Sequence, residues 1–150
     1  MKKGIIRISR GKIVGMVLLI LLLCGALYLF LPRRLSAVCL NGDPETLSGV
    51  TVYAMPNGAE QETATFELTA SQEIEDFREL LHTTRVRPKL FRTAYVNGGY
   101  EGVNFSLYEN GAYNEKDISL FTADLITVNG RQFVLYDTDF SERLQNLLHG

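Results

Sequence analysis

Reactive chemistry is what this sequence has least of. Its 150 residues include two histidines and two cysteines, and none of the four falls in a ligand or nucleophile spacing. There is no CxxC and no HExxH, which removes the usual zinc sites. There is no GxSxG, SxxK or Walker-type loop, and no cofactor is implied. Cys24 falls inside an apolar run, so Cys39 stands alone beyond it and no internal disulfide can form there. A hydrophobic core must then hold the domain together unaided. Acid is missing from the amino-terminal part, since all seventeen Asp and Glu residues lie beyond residue 42. There is no internal repeat and no low-complexity segment.

The sequence does contain an apolar block. Residues 13–31 carry no charge, follow Lys2, Lys3, Arg7, Arg10 and Lys12, and precede Pro32, Arg33 and Arg34. As a helix rising about 1.5 Å per residue the block spans about 28 Å, close to the hydrocarbon thickness of a bilayer. The excess of basic residues ahead of it holds that side in the cytoplasm and places Arg33 onward outside. The basic tip, residues 1–12, suits anionic cytoplasmic lipid. Three alternatives compete with an uncleaved single-pass anchor. A cleaved secretory signal would have a shorter apolar core, and Leu35-Ser36-Ala37 is a poor cleavage site. A lipoprotein cysteine at Cys24 would want a small residue before it, where Leu23 stands. A buried core helix would show one apolar face rather than a run apolar all round.

Residues 33–150 carry ten basic against seventeen acidic side chains, a net of −7. Nucleic acid is therefore disfavoured as a partner. This length supports one core. Residues 32–49, with Pro32, Gly42, Pro44 and Gly49, read as a short stem or first edge strand, and residues 50–150 as an extracytoplasmic domain. Cys39, between Val38 and Leu40, reads as a small buried hydrophobe; the alternative is an intermolecular disulfide between stems.

Asn-Gly recurs at 41–42, 57–58, 97–98, 110–111 and 129–130. Both residues tolerate the positive φ that a two-residue hairpin turn requires. Segments 50–55 and 62–68 flank the second pair, 91–96 and 102–108 the third, and 125–128 and 131–136 the fifth, all rich in β-branched and aromatic residues. Within them Ala64, Phe66 and Leu68 oppose Thr63, Thr65 and Glu67, and Val103, Phe105 and Leu107 oppose Asn104, Ser106 and Tyr108, the period of a half-buried strand. Two amphipathic helices interrupt the strands. The first is capped at Thr69 or Ser71 and carries the stripe Ile74, Phe77, Leu80 and Leu81. The second starts at Thr138 or Asp139, with Glu142 at capping-box spacing, and carries Phe140, Leu144, Leu147 and Leu148. The expected fold is α+β: a transmembrane helix, then a hairpin-rich antiparallel sheet of about 5–7 strands covered by two helices.

One polar cluster rises above a solvated surface. Arg85, Arg87 and Lys89 alternate along an extended stretch with Arg92 just beyond, and Pro88 places the stretch at a sheet edge or in a loop. Charges and proline are also what an edge strand uses to block unwanted pairing. The functional reading is recognition of an anionic wall polymer, lipid headgroup or acidic protein, for which spaced arginines are suited. Tyr95 and Tyr100 flank the 97–99 turn nearby and supply aromatic contact surface. Asn104-Phe105-Ser106 matches a glycosylation sequon inside a strand. His82 lies at the carboxyl end of the first helix.

TATFELTASQEIEDFRELLHTTRVRPKL (residues 63–90) and ITVNGRQFVLYDTDFSERLQNLL (residues 126–148) carry a resemblance to small membrane-anchored extracytoplasmic domains of unknown function common in Gram-positive bacteria. The resemblance implies a strand, a helix, a TxRxRP-like edge, a meander and a final hairpin running into an amphipathic helix over most of residues 50–148. The order is also similar to the β-lactamase-inhibitor-like arrangement of helices on one face of an antiparallel sheet. Neither implies catalytic residues, and fold alone assigns no activity. The expected role is a membrane-tethered binding or accessory module for an envelope protein or polymer. The alternatives are a small envelope hydrolase or transferase using surface carboxylates, and a self-associating structural stem. If Phe77 is core, as its stripe requires, Phe77→Asp places a charge where ~1.5–3 kcal/mol of burial was gained and unfolds the domain, seen as loss of its circular dichroism signal.

Overall fold

The computed structural model describes residues 10–54, 64–91 and 102–149. The chain divides into two compact units, residues 1–31 and 32–150. The first is one helix, α1 (Arg10–Phe30), about 31 Å long at the α-helical rise. Its stretch Gly11–Phe30 is long and apolar enough to cross a membrane.

The second unit is α+β. In chain order it holds β1 (Arg33–Arg34), α2 (Ser36–Cys39), a 3₁₀ turn (Pro44–Thr46), β2 (Leu47–Ala54), β3 (Ala64–Leu68), α3 (Ser71–Thr83), β4 (Arg85–Pro88), β5 (Val103–Glu109), β6 (Ala112–Tyr113), β7 (Ile118–Thr122), β8 (Leu125–Val128), β9 (Arg131–Leu135) and α4 (Phe140–His149). All pairings are antiparallel, in the order β1-β4-β9-β8-β7-β5-β2-β3, with β6 joined to β5. Nine strands among the described residues exceed the 5–7 expected. The excess comes from β1 and β6, which at two residues each are too short to show a period of two. The expected strand 91–96 and the turns at 57–58 and 97–98 fall mainly on residues outside the described ones.

The hairpin turns take the form their sequence demands. Asn110 and Gly111 have φ of 51° and 79°, and Asn129 and Gly130 have 50° and 73°. Positive φ at both central positions closes β5–β6 and β8–β9 with the twist that adjoining strands need. At α3 the cap differs from expectation. Neither Thr69 nor Ser71 caps it; Ala70 stands at the N-cap. The Glu73 carboxylate accepts from the amides of Thr69 and Ala70, at 3.2 and 3.1 Å. Glu73 satisfies these amides from inside the first turn, so a capping hydroxyl is not needed.

One face of the sheet meets the helices. Val50, Val52, Phe105, Leu107, Ile118, Leu120, Ile126, Val128, Phe133 and Leu135 pack against Ile74, Phe77, Leu80 and Leu81 of α3 and Phe140 and Leu144 of α4, with Leu147 and Leu148 half-buried at the margin. Residues 33–49 belong to this body. Leu35 is 0 % exposed, Cys39 1 % and Leu40 4 %, and the amide of Leu35 donates to the Thr84 carbonyl at 2.9 Å. The core is filled: its internal void measures about 10 Å³, no more than one water could need. Leu35→Ala is expected to cost about 2–5 kcal/mol, a large share of a domain's stability, read as a lowered denaturation midpoint of the full chain in detergent micelles.

Candidate functional site

The strand that carries the basic cluster is held on both sides. β9 pairs with β4 through Val86–Leu135, Arg87–Val134 and Pro88–Phe133. On the other side β1 pairs only Arg33 with Val86 and Arg34 with Arg85. The Lys89 amide donates to the Gln132 carbonyl at 2.9 Å, so the position before it, Pro88, directs its nitrogen away from β9, past the end of β1. A proline there loses no ladder bond. Val86 and Pro88 are buried while Arg85 and Arg87 are exposed and Lys89 is half-buried. The period of two therefore places Arg85, Arg87 and Lys89 on the sheet face opposite the helices.

That face has its own composition. Arg87 neighbours Val134 on β9, which neighbours Leu125 on β8. A parallel row runs Gln132, Thr127, Ser119, Asn104, Tyr53 and Thr65 across six strands. Asn104, the acceptor of the sequon, accepts a 2.7 Å hydrogen bond from the Ser119 hydroxyl. The Arg87 guanidinium lies 5.8 Å from the ring centre of Tyr136, which is 48 % exposed. This is cation–π geometry. At the far side Tyr108 and Tyr113 pair their rings at 5.8 Å. Four strand spacings separate β4 from β5, about 19 Å, so the two aromatic spots bracket the face.

Of the six residues expected from sequence, Arg85, Arg87 and Lys89 are brought together; Arg92, Tyr95 and Tyr100 lie outside the described residues. The sequence reading missed Tyr136, whose position beside Arg87 follows from the β4–β9 register. It also missed the exposed pair Leu90 and Phe91, 53 % and 84 % accessible, immediately after the cluster. Two consecutive large apolar residues beside Lys89 were visible as a signal.

A second concavity, a groove of about 650 Å³, lies between the stem and α3, lined by residues that include Arg34, Asp43, Glu45, Glu75, Glu79 and His82. Its charges are largely committed to one another. Arg78 pairs with Glu45 at 3.2 Å and with Glu75, and donates to the Leu47 carbonyl at 3.3 Å. Arg34 lies 3.3 Å from His82 Nδ1. Glu45 and Glu75 are 76 % and 57 % exposed, so water reaches both carboxylates. Among the described residues no group of three or more His, Cys, Asp and Glu converges as a metal site. No protein-family model, curated protein or solved structure matches this chain.

Below the stem a polar clamp closes the core. Glu109 accepts from the amides of Asn41 and Gly42, at 3.0 and 3.3 Å, from the Thr46 hydroxyl at 3.3 Å and from Asn114 Nδ2 at 2.6 Å. Asn114 also donates to the Cys39 carbonyl at 2.9 Å, and Lys116 Nζ donates to the carbonyls of Val38 and Leu40, at 3.1 and 2.5 Å. Cys39 sits beneath them. Burial raises its thiol pKa from the ordinary 9.0 to about 12, with the Lys116 ammonium pulling modestly the other way. A buried thiol of this kind is a packing residue and a poor nucleophile. Because the folded state holds this proton more tightly, the thiol costs no stability below pH 9. Between pH 9 and about 12 the unfolded thiol ionises while the folded one does not, and stability falls as pH rises. The expected slope is about 1.4 kcal/mol per pH unit, present in the wild type and missing from Cys39→Ala, measured by denaturation at stepped pH.

Proposed function

We propose that this chain is a single-pass membrane protein with its amino terminus inside, whose extracytoplasmic α+β domain is a binding module for an anionic envelope protein or polymer. Five basic residues before α1 against two just after it support this orientation. Retention of the anchor is supported by the packing of the stem: cleavage after Ala37 would strip away β1 and the fully buried Leu35. Arg85, Arg87 and Lys89 form the contact surface, with Tyr136 beside them and Arg92, Tyr95 and Tyr100 following in the chain.

The observation that carries the reading is the lack of a structural need for these charges. An edge strand uses charge to guard unpaired backbone. Here β1 already pairs with the strand at Arg85 and Val86, and Pro88 offers no donor beyond it. Two exposed guanidiniums on a domain of net −7 therefore suit a ligand with carboxylates or phosphates, which arginine grips in bidentate fashion.

The test is crosslinking and affinity purification of the full-length protein from native membranes, beside a variant carrying Arg85→Glu, Arg87→Glu and Lys89→Glu. A partner held by the wild type, weakened by salt and lost from the folded variant is the expected result. Equal capture by both overturns the assignment.

A further inference from the structure

The sheet has two edges, and they are finished differently. At one, β1 covers part of β4, and Pro88 offers no donor beyond it. At the other stands β3, Ala64–Leu68, with no lysine, proline or bulge in it. Among the described residues β2 is its one neighbour in the sheet. The pairing decides which backbone groups of β3 remain. The Asn114 amide donates to the Leu107 carbonyl at 2.8 Å, so Leu107 addresses the side of β5 on which β6 and β7 lie. Backbone groups alternate in direction along a strand, so Asn104 and Ser106 address β2. Their partners Tyr53 and Thr51 are therefore turned to β5, and Val50, Val52 and Ala54 to β3. Leu68, Phe66 and Ala64 answer those three. The amides and carbonyls of Thr65 and Glu67 are left pointing out of the sheet. The open edge stops at Thr69, whose amide Glu73 already holds.

We infer that β3 is a dimerisation edge, on which β3 of a second copy of this chain pairs antiparallel about a two-fold axis through Phe66. In that register Thr65 of each copy lies opposite Glu67 of the other, and each such pair exchanges both of its backbone hydrogen bonds. The side chains match as well. Phe66, half-buried at the core margin, meets its copy on the helix face, with Leu68 of one strand opposite Ala64 of the other. The His149 ring of α4 stands edge-on to Phe66 at 5.3 Å, and a second Phe66 extends that aromatic contact. On the opposite face each Glu67 carboxylate lies beside a Thr65 hydroxyl rather than another carboxylate. The neighbouring registers are poorer. Centring on Glu67 sets two carboxylates directly opposite, and centring on Thr65 carries Glu67 past the end of the partner's β3. The strand is thus self-complementary in one register, as an isologous contact requires. An edge that must stay single is guarded by lysine, proline or a bulge, and β3 has none of them. The inference stands on the sheet alone and does not require the anionic ligand. Joined in this way, two copies would present two basic clusters to one extended polymer.

The test uses the full-length chain. Thr65→Pro removes an outward amide and no bond to β2, a position at which an edge strand accepts proline. In density-matched detergent the wild type is expected to sediment with the protein mass of a dimer, and Thr65→Pro as a monomer with unchanged circular dichroism. In vesicles, Phe66→Cys is combined with Cys24→Ala, leaving only the buried Cys39 as a second thiol. Oxidation should give a covalent dimer from Phe66→Cys. Thr65→Cys and Glu67→Cys should give far less, since each stands about 8 Å from its own counterpart, beyond disulfide reach. A wild type that is monomeric at every protein-to-detergent ratio overturns the inference and leaves the basic-cluster reading standing. A dimer that survives Thr65→Pro is held by another surface and overturns it as well. Faster crosslinking at 65 or 67 than at 66 overturns the two-fold through Phe66.

Discussion

The grip of Glu109, Asn114 and Lys116 on the stem is the constraint from which the rest of the structure follows. The carbonyls of Val38, Cys39 and Leu40 would otherwise be left without partners where the chain enters the core. Lys116 takes the carbonyls of Val38 and Leu40, Asn114 that of Cys39, and Glu109 the amides of Asn41 and Gly42. With its polar groups answered, the short α2 helix can bury Leu35 and Cys39 against α3 and the sheet. That placement sets β1 beside β4. Three polar side chains from the β5–β7 region thus tie the stem to the sheet edge that carries the basic strand.

The charge distribution completes this arrangement. Acids fill the domain beyond residue 42, yet the four residues that pair between β1 and β4 are Arg33, Arg34, Arg85 and Val86. Like charges set side by side on adjoining strands are costly. Their persistence is offset partly by contacts such as Arg34 with His82, and by the pairing of the Arg85 amide with Asp137 at 3.2 Å, which leaves the side chain outward. A surface that concentrates repulsion in this way is stabilised most by an anion arriving from outside.

Much of the fold was legible in the sequence because its longer elements are locally consistent. The Ile74–Phe77–Leu80–Leu81 stripe is buried as its spacing requires, and Asn129-Gly130 adopts the positive φ values that its residue types favour. Alternation identified β5 to within a residue, with Val103, Phe105 and Leu107 inward. What was not legible depended on partners distant in the chain. Burial of Cys39 was legible from its apolar neighbours, but nothing local announced that Leu35 and Ser36 are buried too, since the stem's carbonyls are satisfied by residues 75 and 78 positions away. The cap at Ala70 was hidden because its function had moved to Glu73. The basic cluster was visible as a motif, but its aromatic neighbour Tyr136 required the β4–β9 register.

That register also explains how the core orients the basic strand. Val86 and Pro88 must face the core, so Arg85 and Arg87 must face away from it; a slip of one residue would drive two guanidiniums among Leu135, Phe133 and the helices. Burying an unpaired charge costs far more than losing any single contact in this sheet. The core therefore enforces the geometry of the cluster without spending any of the arginines' own hydrogen-bonding capacity on it. Their side chains are positioned by what lies beneath them, so the core rather than any contact of their own sets which face of the sheet they occupy.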